Sequence, residues 1–92
     1  MKKARIKIKF FDIAIYYDEE NEIYEVYNVK KVRQKSRKKK ENNKIIEEES
    51  IVIKTSKGGN LNPKEYALKY IASFTREDYS KVLDAFEKSK AN

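Results

Sequence analysis

Residues 3–17 read KARIKIKFFDIAIYY, and the pattern of this stretch decides the fold. Ala4, Ile6, Ile8 and Phe10 alternate with Lys3, Arg5, Lys7 and Lys9, the period-two signature of a strand buried on one face. After Phe10-Phe11 the apolar parity moves to Phe11, Ile13, Ile15 and Tyr17. One inserted residue reverses parity in this way, so the stretch predicts a single first strand with a β-bulge near Phe10 to Asp12.

Working outward, residues 18–22 (DEENE) are polar throughout and read as a hairpin loop, with Asn21 tolerant of the left-handed conformation. Residues 23–33, IYEVYNVKKVR, are rich in Tyr and Val and form a second strand, whose imperfect alternation leaves the buried face open. A third strand runs over 45–55, with Glu47, Glu48 and Glu49 at its start and Ile51, Val52 and Ile53 as its apolar centre. Lys57-Gly58-Gly59-Asn60 is a turn. Asn62-Pro63-Lys64-Glu65 then opens a helix, with Asn as N-cap, Pro at N1 and Glu at N3. Tyr66, Ala67, Tyr70, Ile71 and Phe74 make its apolar stripe. Thr75 with Glu77 and Asp78 reads as the cap of a second helix, whose Tyr79, Val82, Leu83 and Phe86 recur at i, i+3, i+4, i+7.

This order predicts an α+β fold: a three-stranded antiparallel sheet (β-β-β) followed by two helices packed on one face. Phe74 and Phe86 are expected among the most buried residues, with Ile6, Ile8 and Ile53 beneath them. Ninety-two residues suffice for a single small α+β domain, 1–92. A basic hairpin tip or flexible loop is expected at about 34–44, and lacking apolar residues it should be mobile when unbound.

The charge is just as unevenly placed. Lys30 to Lys40, KKVRQKSRKKK, holds eight basic residues and no acid. The chain carries 22 basic and 15 acidic residues, so without this run 14 basic face 15 acidic, a balance of −1. The net charge of +7 is one local feature. Lysine ammonium groups neutralise phosphates and release counterions, which drives sequence-independent binding to nucleic acid. Six of the eight are Lys, a point charge, rather than Arg, whose fork reads guanine, so the run suits backbone contact more than base recognition.

The candidate nucleic-acid-binding residues are therefore Lys30, Lys31, Arg33, Lys35, Arg37, Lys38, Lys39 and Lys40. Lys7 and Lys9 extend them along the first strand, where the plainer role of strand lysines is to keep an exposed edge from aggregating. In a hairpin of strands two and three, Lys30, Lys31 and Arg33 lie opposite the three glutamates, each opposed pair contributing about 0.2–1 kcal/mol. Tyr16, Tyr24 and Tyr27 are candidates for base stacking, although aromatic residues on strands more often pack in cores.

Other chemistry is thinly supplied. There is no Cys, so no disulfide and no thiolate ligand, and no His. The commonest general base and the usual thiol nucleophile are both missing, so no enzyme is expected, and no cofactor or metal. Asp18, Glu20 and Glu22 alternate like the opening of a calcium loop, but Ile23 stands where its glycine belongs and Val29 where its last carboxylate belongs. Gly58-Gly59 ahead of a helix lacks the remaining residues of a phosphate-binding loop. MKKARIKIKF has no continuous apolar core for a signal peptide, and no run approaches the roughly 18 apolar residues of a membrane span. A cytoplasmic location and no membrane partner are expected.

Two functions follow from different classes. The first is a small, basic, non-enzymatic protein that binds RNA or DNA backbone through a lysine-rich hairpin arm, its partner a nucleic acid or a nucleoprotein complex. The second is a phage or mobile-element inhibitor or adaptor that binds a host protein, such as a nuclease or a defence ribonucleoprotein complex, in an anti-CRISPR-like role. An excess of Lys over Arg with abundant Ile and Asn matches A- and T-rich coding, which suits such an element.

Overall fold

The computed structural model describes residues 1–34, 44–59 and 62–91. Four strands, β1 (Lys2–Ile8), β2 (Phe11–Asp18), β3 (Ile23–Gln34) and β4 (Lys44–Ser56), precede two helices, α1 (Pro63–Thr75) and α2 (Tyr79–Ala91). The strands form one antiparallel sheet in the order β1-β2-β3-β4. α2 lies over β1, and α1 over β3 and β4. The class is α+β as expected, with four strands where three were read.

The extra strand comes from the opening stretch. Ile8 pairs with Phe11, so Lys9-Phe10 is a two-residue hairpin turn and not a bulge within one strand. A bulge and a two-residue turn shift apolar parity identically, because residues flanking such a turn sit opposite each other on one face. Turn chemistry usually separates the two, through Gly or Asn at positive φ. Here Lys9 takes that conformation (φ 55), at a cost on the order of 1–2 kcal/mol for a side chain with a Cβ. Its Nζ donates to the carbonyl oxygen of Arg76, tying the turn to the end of α1. The ladder irregularity lies elsewhere: Val26 pairs with Ile53 and Tyr27 with Ile51, leaving Val52 as the extra residue of β4. That bulge turns Ile51 away from the helix side, where it is 59% exposed, while Ile53 stays half-buried against the core.

On the helix side, Ala4, Ile6 and Ile8 of β1, Ile13, Ile15 and Tyr17 of β2, and Tyr24 and Val26 of β3 join Leu68, Ile71, Val82 and Phe86 in the core. Phe86 is fully buried, its ring 5.3 Å edge-on from Tyr17 and 6.4 Å from Tyr24. Burial pushes the Tyr24 hydroxyl up to about 12.

α1 starts as its sequence dictates: the Asn62 side chain accepts from Glu65 N–H at 3.1 Å, and Pro63 occupies the first turn. Thr55 Oγ1 donates to the Pro63 carbonyl and fixes this start over β4. The helix is rotated from the expected stripe. It buries Ala67, Leu68, Ile71, Ala72 and Thr75, because it sits in the angle between the sheet and α2 and is covered from two sides. Phe74 is therefore not among the buried residues: Tyr66, Tyr70 and Phe74 lie on the outer flank, 50%, 41% and 40% exposed. Thr75 is not the cap of the second helix either. Its hydroxyl donates to the Ile71 carbonyl within α1. α1 ends on Arg76 in the left-handed conformation, with Arg76 N–H on Ser73 and Glu77 N–H on Ala72. The Asp78 carbonyl then accepts from Lys81 and Val82 N–H in the first turn of α2.

The other two turns differ in detail from their reading. In the β2–β3 loop Asn21 donates to both Asp18 carboxylate oxygens, and the left-handed residue is Glu22 (φ 52), not Asn21. Neither Gly58 nor Gly59 takes a positive φ, and Gly59 N–H is used on Ser56 at 3.0 Å. No described helix is long and apolar enough to cross a membrane.

Candidate functional site

The β2–β3 ladder ends at Asp12↔Val29, near the β1–β2 turn. β3 and β4 run on together from Lys30↔Glu48 to Gln34↔Lys44 as a two-stranded ribbon, roughly 15 Å of extended chain. This ribbon carries the first part of the basic run. Lys30 and Lys31 are exposed strand residues on opposite faces, and Arg33 lies opposite Ile45. Lys35, Arg37, Lys38, Lys39 and Lys40, and with them the hairpin tip at about 34–44 beyond Gln34, fall outside the described residues.

Register sets Lys30 across from Glu48 and Lys31 across from Glu47, as the charge pattern predicts, but Arg33 faces Ile45 instead of a glutamate. Facing is not pairing. Glu47 is held by Arg5 through two hydrogen bonds, 3.0 and 3.2 Å. Glu49 accepts from Tyr16 Oη at 2.7 Å and from Lys3 Nζ at 3.0 Å. Both carboxyl groups are held below the usual range, Glu47 by the Arg5 guanidinium and Glu49 by Tyr16 and then Lys3. These pairs cross the sheet face away from the helices, joining outer strands β1 and β4. Lys7, Lys30 and Lys31 form no ion pair with any described residue.

The first-strand cations therefore divide. Lys3 and Arg5 belong to the closing of the far face, Lys7 is exposed on that face, and Lys9 sits in the turn with its ammonium on Arg76. The tyrosine candidates divide as well. Tyr24 is withdrawn into the core beside Tyr17. Tyr16 and Tyr27 meet edge to face at 5.3 Å, with their hydroxyls on Glu49 and Glu25. The exposed rings are others: Phe10 at 94%, and Tyr66, Tyr70 and Phe74 on α1. The spacing of the three α1 rings is visible in the sequence, but their exposure depends on how α1 sits between the sheet and α2. Among the described residues no group of His, Cys, Asp or Glu is arranged to hold a metal ion. No family model, curated protein or solved structure matches the chain.

Proposed function

We propose that this is a small non-enzymatic protein that binds RNA or DNA backbone with the β3–β4 arm, the cations of residues 30–40 serving as the phosphate-binding surface. One observation supports the reading above others. Glu47 and Glu49, the carboxylates on the same face as Lys31 at the root of the run, are engaged by Arg5 and Lys3, so Lys31 remains available to an external anion. Lys35, Arg37, Lys38, Lys39 and Lys40 carry most of the affinity in this proposal. Lys30, Lys31 and Arg33 add to it, and Lys7 lies on the same face as Lys31.

The test is salt-dependent binding of the purified chain to RNA and DNA. With about five phosphates contacted, log affinity should fall with log salt at a slope of roughly −3.5 for single strands and −4.5 for duplex. Replacing Lys35, Arg37, Lys38, Lys39 and Lys40 with Ser should flatten the slope and leave the melting temperature nearly unchanged. An unaltered slope in that variant rules the arm out. A complex with a host protein that survives nuclease digestion and moderate salt would favour the inhibitor reading instead.

A further inference from the structure

The exposed rings of α1 form a row that runs from the start of the helix, fixed over Thr55, toward the end of the sheet where the arm begins. Tyr66, Tyr70 and Phe74 follow at i, i+4, i+8 on the outer flank of α1, a rise of about 6 Å per step. Phe74 meets Phe11 with ring centroids 4.8 Å apart, and Phe10 beside it is almost wholly exposed. Phe11 faces the helix side, as its partner Ile8 does, and Lys30 is next in line to it on β3, because the ladder ends at Asp12↔Val29. Lys30 and Val26 are an even number of residues apart on β3, so Lys30 projects to this same side. Lys9 and Arg76 join at the same end, while Glu77 is taken by Lys81 at 3.7 Å and Glu48 faces Lys30.

We infer that this row is a stacking track for the bases of a single-stranded nucleic acid, with Lys9, Lys30 and Arg76 beside its backbone at the Phe74 end. The inference rests on the nucleic-acid reading of the arm and narrows its ligand to single strands. Duplex bases are covered by one another and offer no face to a ring, whereas bases of an extended strand do, and every base has one. The cations at the Phe74 end suit the phosphates of a strand whose bases lie along the rings.

The experiment is fluorescence anisotropy with a labelled thymidine oligomer of about twelve nucleotides and its matched duplex. Tyr66→Ala and Tyr70→Ala should each weaken single-strand binding about tenfold, with duplex binding, salt slope and melting temperature unchanged. Tyr70→Phe, which keeps the ring, should bind like the parent. Equal losses on both ligands, no loss on either, or a dimer that Tyr70→Ala dissociates would overturn the track. If the alanine variants bind normally while the salt slope stays steep, the arm survives and the track does not. If the parent chain binds neither ligand, both readings fall.

Discussion

On the helix side of the sheet, Ile6, Ile13, Ile15 and Val26 are buried with Leu68, Ile71 and Phe86. On the other side Ala14 and Val29 are just as inaccessible, at 0% and 5%, yet no helix covers them. Their neighbours in register are Arg5, Tyr27, Asp12 and Glu49, and the cover is the mesh of Lys3, Arg5, Tyr16, Glu47 and Glu49. One face excludes water with apolar area, the other with long polar side chains whose stems lie flat and whose charges pair at the surface. Apolar burial is not screened by salt and does not depend on carboxylate protonation, whereas exposed ion pairs are sensitive to both. A short chain can thus finish a sheet with one layer of helices. On β1, Lys3 and Arg5 are used for that purpose, and Lys7 is not.

The largest effect should come from the helix side. Phe86→Ala removes a fully buried ring that touches Tyr17 and Tyr24, and should cost about 3–5 kcal/mol in urea unfolding. An unchanged midpoint would mean that α2 does not close this face. A middling effect tests the far side: Ala14→Leu forces volume beneath the ionic mesh and should destabilise by about 1–3 kcal/mol. Free acceptance of leucine would show that face to be open. The smallest effect concerns charge. Glu47 and Glu49 have folded pKa values below their unfolded ones, so their contribution is full above the unfolded value of about 4.3 and is lost as pH falls through the folded values. The paired substitution Glu47→Gln and Glu49→Gln should slightly lower the melting temperature at neutral pH and low salt. It should matter less as salt rises or pH drops toward about 3. A difference that persists in acid and high salt would mean that packing, not pairing, is what these side chains supply.

Much of this architecture is legible in the chain. Lys3 to Ile8 alternates because one face is buried, and Asn62-Pro63 starts a helix because its N-cap oxygen and fixed φ match the first turn. The register of Lys30 and Lys31 against Glu48 and Glu47 is also anticipated by the order of charges. What misled the reading was ambiguity of short-range signals. All the positive φ values described fall on Lys9, Glu22 and Arg76, where no glycine marks them, so a turn at Lys9-Phe10 passed for a bulge. On α1, Tyr66-Tyr70-Phe74 and Leu68-Ile71-Ala72-Thr75 are adjacent stripes of one helix, and the hydrophobic periodicity supports either.

By itself, then, the sequence determined the class of fold, the start of α1, the apolar face of β1 and the confinement of the net charge to residues 30–40. Those are properties of neighbours, set by backbone geometry and by the period of the apolar residues. Only the tertiary structure decided which stripe of α1 is buried and which cations are already engaged. Arg5 and Glu47 are 42 residues apart and Lys3 and Glu49 46, so no local pattern could pair them. Their meeting requires the outer strands to be brought together across a face that the helices leave open.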